Sequence, residues 1–199
     1  MSGGHGHGHG HGHGPDHGHG SENRRIALLI AVLALVLAFS ETLGKGAQTS
    51  ALSLNIEASN LWSFFQAKTI RMTILRTTAE GAELQLPSAA DPKSKEALEK
   101  RIDAWKKTAA RYDSEPDTNE GRKELAARAK ATEEKRDRAL AAYHHYEVAS
   151  AAVQIAIVLA SAAIITAMSV LVYVAGALGV VGVVFCAIGF FAPAAVHLF

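Results

Sequence analysis

Hydrophobic residues are concentrated in three segments of this chain, and a long polar region separates the first segment from the other two. Residues 148–199 contain no Asp, Glu, Lys or Arg. Because a hydrocarbon core about 30 Å thick needs roughly 20 apolar residues per helix, this tail is long enough for two spans. We place these spans at 148–175 and 179–198, with a turn between them near Ala175 to Gly179, and we place the first span at 24–44.

The first apolar segment has two interpretations. It is short, it follows Arg24 and Arg25, and small residues precede Glu41, which is also the pattern of a cleaved signal peptide. It carries, however, an alanine face with spacings of four, three and four residues: Ala27, Ala31, Ala34 and Ala38. A leader that is removed has no need of such a face, so we expect a retained transmembrane helix.

The polar region, residues 45–147, predicts three further helices. Gly44 and Gly46 interrupt the first apolar pattern, so we expect a separate helix at about 47–80. Its apolar positions follow a heptad repeat: Leu54, Ala58, Leu61, Phe65, Met72 and Leu75. The other two helices are expected at about 93–112 and 118–147.

Two local signals mark where these later helices begin. Asp91 and Pro92 are typical of an N-cap followed by proline at the first helical position. Asp117 with Glu120 resembles a capping box that opens the long last helix. That helix has an apolar seam, which Thr132 and Arg136 weaken, and its members are Leu125, Ala129, Ala139, Tyr143 and Tyr146.

These patterns predict an extramembrane helical hairpin, similar to a coiled coil, between the first and second spans. Two spans that meet the same side of a membrane are joined directly by an even number of upright helices. The three helices expected here would instead end on the side far from the membrane. Either the loop between 81 and 92 returns across the full height, or the 47–80 helix lies on the membrane surface. Trp62, Phe64 and Phe65 fit an interfacial helix, and they fit packing against the hairpin equally well.

Small residues line the two C-terminal spans at helical spacing. In a bilayer, where apolar side chains gain nothing by leaving lipid, such residues allow close helix packing. The predicted packing residues are Ala149, Ala152, Ala156, Ala160, Ala163, Ala167, Gly179, Gly182 and Gly189. The stripes predict a three-helix membrane bundle, and a homo-oligomer that meets along the same faces is the competing use.

A second, mildly polar stripe on the 148–175 span consists of Ser150, Gln154 and Ser161. It fits either interhelical hydrogen bonds, worth about 0.6 kcal/mol each, or the wall of a pore in an oligomer. No Asp, Glu, Lys or Arg lies deep within a span, and this disfavours proton-coupled or ion-coupled transport.

Residues 1–23 are rich in His and Gly and have no apolar surface to bury, so we expect disorder. Neutral imidazoles on a flexible backbone bind Zn, Ni or Cu, and the candidate metal ligands are His5, His7, His9, His11, His13, His17 and His19. A purification tag is usually a contiguous His run, and this alternation favours a native tail. His144 and His145 point about 100° apart on a helix, so we expect surface or interfacial residues instead of a ligand pair.

Overall composition excludes several classes of function. The formal net charge is +1, and nucleic-acid binding would need a strongly basic face. We find no nucleophile–base pair, phosphate loop or carboxylate dyad at usable spacing, so no catalytic or cofactor-binding residue is expected and the chain is not predicted to be an enzyme. The single cysteine, Cys186, has no partner within the chain for a disulfide.

The run from Glu57 through Trp62, Gln66 and Lys68 to Arg71, which reads EASNLWSFFQAKTIR, follows the first span. It resembles the signature of a bacterial inner-membrane family, domain of unknown function 4337, in which two spans close the chain. The resemblance covers about residues 24–199 and implies a multi-pass bacterial inner-membrane protein. It implies no activity for Glu57, Trp62, Gln66 or Lys68.

The expectation is therefore an all-α membrane protein with three transmembrane helices. Its predicted function is a non-enzymatic scaffold or interaction protein that self-associates or binds another protein; the alternative is a homo-oligomeric ion or metal channel. Arg24 and Arg25 favour a cytoplasmic N-terminus, although Lys45, Lys135 and Arg138, near the other ends of the first two spans, favour the opposite orientation.

Overall fold

The computed structural model describes residues 17–89 and 91–195, with side chains described from Glu22 onward. Within these residues all regular structure is helical, and no strand occurs. The helices are α1 (His17–Glu83), α2 (Pro92–Asp113), α3 (Arg122–Thr166) and α4 (Ser169–Phe191), with a short 3-10 helix at Leu86–Ser88. This confirms the predicted all-α class. In α1, α3 and α4 a stretch is long and apolar enough to cross a membrane.

Helix α1 is continuous over 67 residues, which corrects two predictions. It begins at His17, so residues 17–23 are helical where we expected disorder, and it does not break at Gly44 or Gly46. Glycine inside a helix costs only about 1 kcal/mol relative to alanine, and neighbouring residues outweigh that cost. Gly44 is buried, and a Cβ atom there would lie 3.4 Å from Tyr146 Cβ.

The buried side of α1 is one heptad seam along most of the helix. Successive members are three, four or seven residues apart: Ile26, Leu33, Ser40, Gly44, Ala51, Ala58, Leu61, Lys68, Met72, Ala79 and Ala82. This repeat is the one that keeps a side chain facing a partner helix in left-handed coiled coils. Ser40 and Lys68 are its two polar members.

The chain divides into two compact units, and the first combines the part of α1 up to Glu41 with Val148–Cys186. Its core consists of Ile26, Leu33, Val153, Ala156, Ala160 and Ala175. Glycines bring α4 close to both other helices. A Cβ atom on Gly179 would lie 2.6 Å from Leu33 Cδ2, and one on Gly182 would lie 2.4 Å from Val153 Cγ2.

Two expectations about this unit are wrong. The predicted alanine face of α1, from Ala27 to Ala38, is exposed, because Ile26 and Leu33 occupy the interior instead. The turn between the last two spans lies at Ala167 and Met168, ahead of the predicted position. Ala167 has a positive φ of 55°, which ends α3. Gly179 and Gly182, which we expected in or just after the turn, are instead buried positions within α4.

The second unit combines Thr42–Glu147 with the segment that begins at Ala187. Its contacts give the direction of α2 and α3 relative to α1. As the residue number along α1 falls, the partner number rises in the pairs Glu83–Lys106, Lys68–Glu115, Phe65–Arg122, Trp62–Glu133 and Asn55–Arg136. Both α2 and α3 therefore run antiparallel to α1 and lie one after the other along it.

This arrangement explains how three helices fit between the first and second apolar segments, by a route that we did not predict. The connection at residues 114–121 does not reverse the chain direction, so α2 and the start of α3 together return along one side of α1. Neither a full-height return of the 81–92 loop nor a surface-lying helix is needed.

The helix ends agree with one cap prediction and not with the other. Asp91 caps α2 as predicted, since its Oδ2 accepts a hydrogen bond from the Ser94 backbone N–H at 3.2 Å. The Asp117–Glu120 capping box is wrong, because α3 begins only at Arg122. Asn119 has a positive φ of 55°, a conformation that asparagine tolerates and that excludes an earlier helix start.

Candidate functional site: a buried lysine beneath the α2–α3 connection

Lys68 lies in the heptad seam of α1 at the level where α2 gives way to α3. It occupies a position between Phe65 and Met72 that an apolar residue usually fills, and only 6 % of its surface is exposed. Lysine is rarely buried without a partner, because its charge loses solvation. The apolar periodicity missed this residue, while the family signature included it.

Two aromatic rings and two carboxylates surround the Lys68 ammonium group. Nζ lies 5.1 Å from the Tyr112 ring centroid and 5.5 Å from that of Phe64. Glu115 and Glu120, both on the α2–α3 connection, place carboxylate oxygens at 3.8 and 4.0 Å. The ammonium is thus held by charge and by cation–π contacts. It ties the connection between α2 and α3 to α1.

The connection is braced by two further carboxylates at its ends. Asp113 pairs with Arg122 at 3.1 Å and with Lys123 at 3.0 Å. Hydrogen bonding from Lys123 lowers the pKa of the Asp113 carboxyl, and the charge of Arg122 adds to this effect. These ion pairs therefore join the end of α2 to the start of α3, and they stay intact at neutral pH.

Glu124 performs a similar role from the first turn of α3. Its carboxylate accepts hydrogen bonds from Ser114 Oγ at 2.6 Å and from the Glu115 backbone N–H at 3.1 Å. The bond from Ser114 is the largest cause of a lowered pKa for this carboxyl. A carboxylate also suits the positive end of a helix dipole.

Directly beyond the connection, aromatic residues of α1 pack against α3. Trp62 Nε1 donates a hydrogen bond to Glu133 Oε1 at 2.9 Å, and its ring meets Phe65 edge-on at 5.4 Å. Phe65 also faces the Arg122 guanidinium at 5.6 Å. Trp62 and Phe65 thus pack on the cluster formed by Leu61, Leu125 and Ala129, which is one of the two arrangements expected for them.

The structure brings together only part of the family signature. Lys68 and Trp62 both contact the returning helices, whereas Glu57 and Gln66 lie on exposed positions of α1. Tyr112, Glu115 and Glu120 were missed by sequence reasoning because nothing in their spacing places them near Lys68.

The predicted packing residues of the apolar helices occupy several environments. Ala149, Ala156, Ala160 and Ala163 are buried, as are Gly179, Gly182 and Gly189. Ala152 is half-buried, and Ala167 is exposed in the turn. The stripe on α3 therefore faces the interior of the protein along most of its length.

The mildly polar stripe on α3 makes local hydrogen bonds. Gln154 Nε2 donates to Glu41 Oε1 and to Ser150 Oγ, both at 3.3 Å. Ser161 Oγ donates to the Ile157 carbonyl one turn earlier. Of these bonds only the one from Gln154 to Glu41 joins two helices, and the other two lie within α3.

Metal ligands are not assembled in the described part of the chain, where no group of three or more His, Cys, Asp or Glu side chains is close enough to hold an ion. His5, His7, His9, His11 and His13 lie outside the described residues. His17 and His19 lie at the start of α1, and their side chains also fall outside the description. His145 is 1 % exposed, deeper than expected, and its Nε2 lies 3.1 Å from the Pro193 carbonyl oxygen.

The lysine, the carboxylates and the indole N–H satisfy one another across α1, α2 and α3. What the arrangement does is hold the α2–α3 connection in place along α1.

Comparison with known proteins identifies the family. The model of the domain of unknown function DUF4337 matches residues 22–192. No curated protein and no solved structure matches the chain. The matched region includes all of α2, α3 and α4, and the chain belongs to the DUF4337 family.

Proposed function

We propose that this chain is a non-enzymatic scaffold or interaction protein of the bacterial inner membrane. In this proposal residues 24–44 of α1, the apolar part of α3 and all of α4 cross the bilayer, and residues 45–147 form a helical hairpin outside it. The hairpin presents helix surfaces to a protein partner or to another copy of the chain.

The apolar exterior of the first unit supports insertion into lipid. Its large exposed side chains cover all three helices and include Leu28, Leu35, Phe39, Ile155, Val158, Ile165, Val180 and Val183. Such an exterior is unfavourable in water and is the expected surface of a bundle surrounded by lipid tails.

The observation that carries the scaffold proposal is the arrangement around Lys68. Here a buried charge joins three helices by the contacts described above, and its ligands come from residues far apart in the sequence. A group buried in this way holds helices in one arrangement, as expected for a protein whose function is to present a fixed surface.

A homo-oligomeric ion or metal channel is the alternative, and the structure favours it less. A pore wall needs polar groups directed at water, whereas Ser161 bonds to its own helix and Gln154 bonds to Glu41 and Ser150. Zn, Ni or Cu bound by the His-rich tail is an independent proposal that rests on the sequence alone.

Conductance separates the two functions. We expect purified full-length protein in liposomes to give no more conductance than protein-free liposomes, because its polar stripe is already hydrogen-bonded. The measurement is the current across a planar bilayer into which these liposomes are fused, with Gln154→Leu as the test variant and Ile155→Leu as a matched neutral control. Conductance that Gln154→Leu removes and Ile155→Leu keeps would replace the scaffold proposal with the channel.

The orientation of the protein follows from its basic residues. Arg24 and Arg25 precede the first span, and the polar region is too long for its charges to count fully. We therefore propose a cytoplasmic N-terminus with the hairpin in the periplasm.

A further inference from the structure

We draw no further inference here: the strongest candidate, the cavity of about 250 Å³ between the start of α1 and the turn from α3 to α4, is lined by the exposed side chains of Glu22, Asn23 and Ser169 beside the N-terminus of α4, and nothing in the described part of the chain shows what would occupy it.

Discussion

Replacing Lys68 by glutamate should destabilise the hairpin by about 3–5 kcal/mol, because it puts a third carboxylate beside Glu115 and Glu120 in a buried position. The Tyr112 and Phe64 rings would also lose their cation. The change is measured as the free energy of unfolding of the full-length protein in detergent, followed by circular dichroism.

Two control variants separate the role of the buried charge from a general effect of sequence change. Lys100→Glu reverses a charge that is 74 % exposed on α2, so we expect it to change stability by no more than about 0.5 kcal/mol. Lys68→Met keeps a long apolar stem and removes the charge, while Glu115 retains its pair with Arg111 and Glu120 is half exposed, so we expect a smaller loss of stability than for Lys68→Glu. A Lys68→Glu protein as stable as Lys68→Met would contradict the assignment of Lys68 to a buried seam.

The second large effect is expected at Gly121, where the α2–α3 connection meets α3. A Cβ atom there would lie 2.1 Å from Glu124 Oε2, 2.3 Å from the Glu115 backbone nitrogen and 2.8 Å from the Ser114 carbonyl carbon. Two of these are backbone atoms, so the connection itself has to move. We expect Gly121→Ala to cost about 1–3 kcal/mol, the usual range for overpacking, by the same unfolding measurement.

Gly81→Ala is the matched control for this substitution. Gly81 lies within α1, and a Cβ atom there would meet nothing within 4 Å. Because alanine favours the helix over glycine, we expect a gain of about 0.5–1 kcal/mol. Equal effects of the two alanine variants would contradict the close approach of Gly121 to the backbone of Ser114 and Glu115.

The sequence predicted well those features that depend on local pattern. All six apolar heptad positions expected between Leu54 and Leu75 are buried or half-buried, and Asp91 caps α2. Lys68 was absent from that heptad because an apolar pattern excludes a lysine by definition. Its burial depends on Tyr112, Glu115 and Glu120, which only the fold brings near.

The errors arose where one residue type serves two purposes. Glycine marks turns in soluble proteins, but here Gly179 and Gly182 allow α4 to pack closely against α1 and α3. The turn at Ala167 contains no glycine. The direction of α3 was equally inaccessible, since eight residues between α2 and α3 are compatible with either a reversal or a continuation. The contacts of Lys68 and Trp62 decide between them.

The central claim is that the apolar helices lie in lipid while residues 45–147 lie outside, and thiol labelling tests it most directly. On the Cys186→Ser background, single cysteines replace Leu35, Val158 or Val183 in the apolar helices, and Asp117 or Lys130 outside them. All five positions are exposed on the protein, so only lipid distinguishes them. A membrane-impermeant maleimide should label Asp117→Cys and Lys130→Cys in intact spheroplasts, and should label the other three only after detergent is added. Labelling of Val158→Cys in intact membranes as fast as Asp117→Cys would contradict the account.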